Sequence, residues 1–260
     1  MPDLTKPARP RRAAALAGLL YSSAVYLAFL LVLGYAVGFF ADRGVPRGID
    51  GGARLPWPAA AAIDAALLAL FAVQHTVMAR PWFKRRWTRL VPVSAERSTY
   101  VLFASLALAL LFWAWQPVAG RLWAVSGPGG AALLALQLGG WIVALAATFT
   151  ISHWDLFGMR QARAHARGAA YRPVPFTERG LYRRVRHPLM TGFVIVFWAA
   201  PTMTVGHLLF AAAATGYILV GIAFEERDLL ASLGQEYRSY RARVPALIPG
   251  YPTYGQRPAR

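Results

Sequence analysis

The sequence contains no cysteine and few charged side chains. Without cysteine among its 260 residues, disulfide bonds, iron–sulfur clusters, cysteine-ligated zinc and a cysteine nucleophile are excluded. Charged residues make up 15% of the chain, whereas about 25% is usual for soluble domains. A soluble protein of this size could not bury the apolar surface of 57% hydrophobic residues. The composition therefore predicts an integral membrane protein.

Metal ligands and carboxylates are also scarce. The chain has five histidines and 11 acidic residues, and no two histidines follow HExxH-type spacing. We therefore expect no metal site. The formal net charge of +17 would suit a nucleic-acid partner if it lay along one soluble face. It instead falls in clusters between long uncharged segments, so we expect no nucleic acid.

The uncharged segments predict how the chain crosses the bilayer, which needs about 20 apolar residues per helix. The predicted spans are Ala13–Phe40, Ala65–Ala79, Ser98–Gly120 and Ala131–Ser152. The second of these is short, and it extends back through Trp57–Ile63 if Asp64 lies near a helix end. His187–Phe224 has no Asp, Glu, Lys or Arg over 38 residues, which is too long for one helix and short for two full spans. Pro201 within it predicts a bend, and hence a helical hairpin.

An amphipathic helix is predicted after the hairpin, because Leu229, Leu233, Tyr237 and Tyr240 share one helical face. The predicted fold is therefore all-α and integral to the membrane, with four transmembrane helices, a C-terminal hairpin and a cytoplasmic amphipathic helix. Residues 1–12 are expected to form a flexible basic tail, 13–250 a single domain and 251–260 a C-terminal tail.

Charge alternates between the connecting segments. Residues 1–12 carry +3, 42–54 carry +1, 80–97 carry +5, 120–130 carry +1 and 153–186 carry +6. Cytoplasmic loops of membrane proteins carry the excess of Lys and Arg. The alternation therefore predicts a multi-pass protein with both termini in the cytoplasm.

Two features near the C-terminus suggest a binding site. Glu225 and Glu226 directly follow an apolar stretch, where a cytoplasmic helix end normally carries Lys or Arg, so they are expected to serve a cationic partner. Pro188 pushes His187 out of the helical region. Non-helical backbone at membrane depth is tolerated where it is buried in protein or lines a cavity.

The same region resembles the cofactor-binding half of isoprenylcysteine carboxyl methyltransferases. The matching motifs are Gly180-Leu-Tyr182-x-x-Val-Arg186-His187-Pro188-Leu-x-x-Gly192 and Glu225-Glu226-x-x-Leu229-x-x-x-Leu-Gly234-x-x-Tyr237-x-x-Tyr240. The resemblance implies that residues 177–250 bind S-adenosylmethionine, with Glu225 or Glu226 receiving its ammonium group. The cofactor-binding residues that it implies are Tyr182, Arg186, His187, Pro188, Glu225, Glu226 and Tyr237.

The upstream half resembles one branch, the bacterial methanethiol S-methyltransferases. The matching segments are Gln74-His75-Thr-Val-Met-Ala-Arg80-Pro, Glu96-Arg97-Ser-Thr-Tyr100, Asp155-Leu-Phe-Gly-Met-Arg160-Gln161 and Pro201-Thr-Met-Thr-Val-Gly206-His207. This resemblance implies methyl transfer to a small volatile thiol, methanethiol, in a bacterial inner membrane. It also implies that Arg160 and Gln161 bind the substrate.

A thiol methyltransferase needs the thiolate form of its substrate, and hence a base or a group that holds the thiolate. The candidates are His75, His153, Asp155 and Glu96. We predict His75 and Asp155 as catalytic residues, since both lie at cytoplasmic ends of apolar spans and could act as a base and its orienting partner. The sequence does not show whether the two side chains meet.

Three other functions remain open from the sequence. They are carboxyl methylation of a prenylated cysteine, a non-catalytic membrane role like that of NnrU proteins, and reduction of a sterol-like substrate with a nicotinamide cofactor. The chain is short for the last of these. Binding of S-adenosylhomocysteine separates a methyltransferase from the non-catalytic and reductase alternatives.

Overall fold

The computed structural model describes residues 11–52 and 54–250. Within these residues, five apolar helices are long enough to cross about 30 Å of hydrocarbon at about 1.5 Å per residue. They are α1 (Arg12–Ala41), α2 (Trp57–Ala79), α4 (Val93–Ala114), α5 (Gly127–Ile151) and α9 (Val205–Leu233). The shorter helices are α3 (Pro81–Trp87), α6 (His153–Leu156), α7 (Met159–Ala166), α8 (Pro188–Trp198) and α10 (Gln235–Arg243), and a 3₁₀ turn covers Gly180–Arg183.

The prediction of a mostly helical, multi-pass membrane protein is confirmed by these helices. The third long helix is displaced by several residues from the predicted span. It begins at Val93, since Glu96 and Arg97 find partners as part of its first turns: Glu96 lies 3.9 Å from Lys84 and Arg97 donates to the carbonyl of Leu156. It ends at Ala114, because Pro117 disfavours helical backbone in the residue before it.

The two helices at the position of the predicted C-terminal hairpin differ in length. α8 has 11 residues, which at about 1.5 Å per residue covers about half of the hydrocarbon thickness. α9 has 29 residues and continues through Glu225 and Glu226 to Leu233. Gly234 then adopts a positive φ of 56° and separates α9 from α10.

A short ribbon of two strands joins two connecting segments, which the sequence analysis did not anticipate. β1 (Arg121–Ala124) pairs antiparallel with β2 (Thr202–Thr204), with Trp123 opposite Met203. Next to the ribbon, Thr204 caps α9 by accepting a hydrogen bond from the His207 backbone N–H at 3.0 Å. The pairing fixes the 121–124 segment and the bend between α8 and α9 at the same end of this part of the protein.

The chain divides into two compact units. The first lies within Met1–Gln116 and Ser152–Pro175, and the second within Pro117–Ile151 and Phe176–Arg260. The predicted tails, 1–12 and 251–260, lie outside the described residues except for Arg11 and Arg12.

In the first unit, α4 packs against both α1 and α2, and α7 packs against α1 and α4. Gly158, which precedes α7, has a φ of 83°, and a Cβ there would lie 2.7 Å from the backbone nitrogen of Ser98. Only glycine suits both the positive φ and this close approach. Ser98 also donates to Ser22 at 2.9 Å, which fixes the end of α4 against α1.

In the second unit, α8 packs closely on α5 and also contacts α9. A Cβ at Gly192 would lie 2.6 Å from the backbone nitrogen of Ala144, so glycine is required for the two backbones to approach as they do. Small residues permit such packing between membrane helices. Gln137 strengthens the contact by donating to the carbonyl of Val196 at 3.1 Å. This packing positions the start of α8, where His187 and Pro188 lie.

Candidate functional site

Four charged or titratable side chains of the second unit meet where α8 begins. Glu226, on α9, accepts hydrogen bonds at Oε1 from Arg186 Nε at 2.7 Å, and Arg186 Nη2 lies 2.6 Å from the same oxygen. His187 Nε2 lies 3.1 Å from that oxygen, and Arg241 Nε lies 3.2 Å from Oε2. We call Arg186, His187, Glu226 and Arg241 the charge cluster.

The backbone of the charge cluster is held by the segment that follows α10. The N–H of Arg186 donates to the carbonyl of Pro245 at 2.8 Å, and the N–H of His187 donates to that of Ala246 at 3.0 Å. His187 has φ −124° and ψ 62°, as expected for a non-helical residue before proline. Pro188 then begins α8 and is fully buried.

All three nitrogen atoms of the Arg186 guanidinium group make contacts inside the protein. Besides its bonds to Glu226, its Nη1 donates to the carbonyl of Arg241 at 3.2 Å and to that of Val244. Its side chain is 3% exposed. Arg186 therefore ties α9 to the end of α10, and its donors are already in use.

The two adjacent glutamates have opposite environments. The Glu226 side chain is 8% exposed and accepts from three side chains, whereas that of Glu225 is 54% exposed. Glu225 Oε2 lies 3.6 Å from Nδ1 of His187. Glu225 thus places a carboxylate at the accessible edge of the charge cluster, where it can receive a cationic group.

Three tyrosines lie around the cluster. The hydroxyl of Tyr240 donates to the carbonyl of Tyr182 at 2.7 Å. Tyr237 is 1% exposed, and its hydroxyl lies near the guanidinium group of Arg186. Burial, helped by the charge of Glu225, raises the pKa of Tyr182 to about 12, and burial, helped by Glu226, raises the pKa of Tyr237 to about 12. Both phenols are therefore neutral and can donate hydrogen bonds at neutral pH.

A second polar group forms in the first unit around Asp155. The hydroxyl of Tyr171 lies 2.9 Å from Oδ1 and 3.0 Å from Oδ2 of Asp155, while Arg160 Nη1 is 3.5 Å from Oδ1. Gln161 Nε2 lies 3.4 Å from the same carboxylate oxygen. Burial, followed by the hydrogen bond and charge of Asp155, raises the pKa of Tyr171. Tyr171 therefore remains a donor to the carboxylate.

His75 lies on α2, half-buried between two aromatic rings of the same unit. Its ring stacks on Phe71 with centroids 5.2 Å apart, and the hydroxyl of Tyr100 lies 2.9 Å from its Nε2. The guanidinium of Arg97 lies over the Tyr100 ring at 5.2 Å. His75 thus has a neutral hydrogen-bond partner and no described carboxylate partner.

The remaining histidines have different settings. His153 is 2% exposed, and its Nε2 lies 2.7 Å from the hydroxyl of Tyr26; burial lowers its pKa. His207 is 1% exposed, and its Nε2 lies 3.0 Å from the carbonyl of Phe197. His165 is exposed. Because His153 and His207 are enclosed, His75 is more accessible than either of them.

The structure therefore separates the predicted site residues by unit. All seven predicted cofactor-binding residues lie in the second unit, and His75, Asp155, Arg160 and Gln161 all lie in the first. Asp155, Arg160 and Gln161 are brought together, whereas the described partner of His75 is Tyr100. That His75 and Asp155 act as a pair stays a prediction.

Sequence reasoning missed three contributors to these groups: Tyr100, Tyr171 and Arg241. Tyr171 is separated by 16 residues from Asp155 and belongs to no recognised motif, so no signal identified it. Tyr100 lies within a recognised segment, but spacing along one helix cannot reveal a partner on another. Arg241 is one of many arginines near the C-terminus, and only the fold shows that it reaches Glu226.

Comparison with known proteins gives similarity over nearly the whole chain, and hence over both units. Methanethiol S-methyltransferase of Mycobacterium tuberculosis is 53% identical over 232 residues, 89% of this chain and 95% of that protein. Methanethiol S-methyltransferase of a Pseudomonas species is 51% identical over 235 residues, 90% of each. Nurim of Sus scrofa is 28% identical over 236 residues, 81% of this chain and 90% of that protein. No protein-family model and no solved structure matches the chain.

Proposed function

The chain belongs to the family of methanethiol S-methyltransferases, and we propose that it transfers a methyl group from S-adenosylmethionine to methanethiol, which gives dimethyl sulfide. The observation that carries this proposal is the identity of 53% over 89% of the chain. The similarity covers both polar groups described above. We therefore assign the binding of the methyl donor and of the methyl acceptor to side chains of this protein.

The donor-binding residues of this proposal are those of the second unit. S-adenosylmethionine would supply a methyl carbon bonded to a sulfonium sulfur, and its amino-acid portion carries an ammonium group. Glu225 receives that ammonium, because its carboxylate is 54% exposed while that of Glu226 is already shared among Arg186, His187 and Arg241. The fit is supported by the buried hydroxyl of Tyr237, which can donate to a bound polar group.

The remaining predicted cofactor residues divide into two roles. Arg186, His187 and Glu226 act as positioning residues, since their polar atoms bond mainly to one another and to the end of α10. Tyr182 and Pro188 shape the site from the turn before α8. In this division Glu225, Tyr182 and Tyr237 contact the ligand, and the charge cluster keeps the site rigid.

The acceptor-binding residues of this proposal are those of the first unit. His75 takes the proton of the thiol, while Tyr100 holds its ring. Arg160 and Gln161 bind the acceptor, and Asp155 positions both through the contacts described above. S-adenosylmethionine would supply the methyl group, and in-line attack of the thiolate on it would form the new carbon–sulfur bond and leave S-adenosylhomocysteine.

We also propose how the protein lies in its membrane. α1, α2, α4 and α5 form four spans of a bacterial inner membrane, and α8 and α9 form an uneven hairpin in which α9 crosses fully. The basic α3 segment and the residues around the charge cluster face the cytoplasm, since positive charge favours that side. Residues 13–250 act as one methyltransferase domain, because the chain passes three times between the two units.

The direct test measures the product. Cells that express the chain and are supplied with methanethiol should release dimethyl sulfide into the headspace, as measured by gas chromatography, and cells with the empty vector should not. Purified protein should bind S-adenosylhomocysteine in calorimetry. A well-folded protein that binds no S-adenosylhomocysteine and yields no dimethyl sulfide would overturn the proposal.

The donor site is tested by Glu225→Gln, which removes the charge and keeps the size of the side chain. We expect S-adenosylhomocysteine to bind at least tenfold more weakly, a change of about 1.4 kcal/mol, with unchanged thermal stability. Asp228→Asn, which removes another carboxylate of α9 three residues away, serves as the matched control. Equal affinities for Glu225→Gln and the control would place the ammonium elsewhere.

A further inference from the structure

A buried amide on α2 has an oxygen without a hydrogen-bond donor. Oε1 of Gln74 is enclosed, and no described residue donates to it. The other end of the amide makes one weak contact, in which Nε2 donates to Sδ of Met78 at 3.1 Å. Buried polar atoms in proteins are nearly always satisfied, and polar side chains within membrane spans commonly mark a functional site. The amide of Gln74 therefore needs an explanation.

The surroundings of this amide point to a ligand with a sulfur atom. Gln74 and His75 are neighbours on α2, and Met78 lies one turn further along. Met78 is 8% exposed and packs in the same cluster as Tyr100, whose hydroxyl bonds His75. These residues thus bring an amide oxygen, a thioether, an imidazole and an aromatic ring to one part of the first unit. Aromatic rings make favourable contacts with sulfur.

We propose that Gln74 is a specificity-determining residue that binds the sulfur of the methyl acceptor, an inference that rests on the proposed function. Its Oε1 accepts the S–H of the thiol, which is a weak donor. This contact selects a thiol over an apolar molecule of equal size and fixes the sulfur beside His75. An acceptor with one carbon offers almost no other group to hold, so one polar contact accounts for much of its orientation.

The amide also suits the deprotonated acceptor. When the proton passes from sulfur to a ring nitrogen of His75, the sulfur changes from donor to acceptor of hydrogen bonds. A side-chain amide has an acceptor at one end and two donor hydrogens at the other, so rotation about its last bond would turn an N–H toward the thiolate. Gln74 can serve both protonation states, which an apolar residue of similar length, such as methionine, cannot.

The test replaces the amide by an apolar side chain of similar length. Gln74→Met should raise the KM for methanethiol tenfold or more, while the affinity for S-adenosylhomocysteine and the unfolding temperature stay at the wild-type values. The control is Gln116→Met, because Gln116 lies in the same unit and its Nε2 already donates to the carbonyl of Ala114 at 2.7 Å. The control should keep the wild-type KM.

A second variant covers the case in which Gln74→Met does not fold. Gln74→Asn keeps the amide but withdraws it by one methylene, and it should also raise the KM for methanethiol with little change in S-adenosylhomocysteine affinity. A folded variant of either kind with the wild-type KM would overturn the inference, while an active wild type keeps the proposed function. A well-folded wild type that neither produces dimethyl sulfide nor binds S-adenosylhomocysteine would instead overturn the proposed function.

Discussion

The polar groups of the two units are built in different ways. In the second unit, Glu226 is 8% exposed and its hydrogen-bond partners are Arg186, His187 and Arg241, so charge is balanced by charge. In the first unit, the half-buried His75 and Asp155 are bonded to the neutral phenols of Tyr100 and Tyr171. One group is closed by ion pairs, and the other is held by neutral hydrogen-bond partners.

This difference indicates what each group can do. Removing one partner of a buried ion pair leaves an uncompensated charge, which is strongly destabilising. We therefore propose that the charge cluster is a rigid support and that the accessible Glu225 beside it is the binding group. A neutral phenol holds an imidazole or carboxylate in place without adding a charge beside it. We propose that the groups of the first unit take part in proton transfer.

The largest expected effect comes from breaking the first-unit group at His75. His75→Gln keeps a hydrogen-bonding side chain next to Tyr100 but cannot act as a base near neutral pH. We expect turnover of methanethiol to fall by about 10²–10⁴-fold, with nearly unchanged S-adenosylhomocysteine affinity. The loss should shrink as the pH rises toward about 10, since the thiol then ionises without help.

The exposed His165 of the same unit provides the matched control. His165→Gln should retain the wild-type rate from about pH 6 to about pH 10. If His75→Gln is well folded and shows the wild-type rate over this range, proton removal is left to water, and the proposed difference between the two units would not hold.

Much of the fold was predictable, because membrane helices follow directly from composition. The second span was predicted over Ala65–Ala79, with an extension back to Trp57 that depended on the place of Asp64, and the structure has this extension as part of α2. The bend at Pro201 and the non-helical His187 follow from the restrictions that proline imposes. The predicted and observed helix bounds differ where the charge of individual residues was misleading. Glu96 and Arg97 were assigned to a loop because they are charged, yet both are satisfied within the first turns of α4.

The division of labour between Glu225 and Glu226 could not be predicted from the sequence. The two residues are adjacent and identical in type, and their difference depends on which side of α9 faces the arginines that precede α8 and lie on α10. The same holds for the phenols. Tyr171 reaches Asp155 across 16 residues of chain, and Gly158 lies against Ser98 of α4; no sequence motif indicates either contact.

The second prediction tests the closed group by breaking it at Glu226. Glu226→Gln leaves the guanidinium of Arg186, 3% exposed, without its counter-charge. We expect a loss of about 3–5 kcal/mol in stability, and hence a fall in unfolding temperature on the order of 10 °C. Glu225→Gln is the matched control, since an exposed substitution usually changes stability by less than about 0.5 kcal/mol. Equal unfolding temperatures for the two variants would contradict the assignment of Glu226 as a supporting residue.

The smallest effect is expected from the phenols, and it appears only at high pH. Burial raises the pKa of Tyr182 and of Tyr237 to about 12, whereas an unfolded chain has tyrosine pKa values near 10. A pKa raised by folding means that the folded protein holds the proton more tightly, so this contribution to stability is complete below about pH 10 and is lost as the pH rises through about 12. Ultraviolet titration should therefore show fewer phenolates in the folded protein than in the denatured protein at about pH 11.

Tyr182→Phe should reduce that difference. The pH profile of dimethyl sulfide formation between about pH 6 and pH 9 should not change. A phenolate that forms near pH 10 in the folded protein and disappears with Tyr182→Phe would show that this side chain is open to solvent, and the second unit would then be less closed than the first.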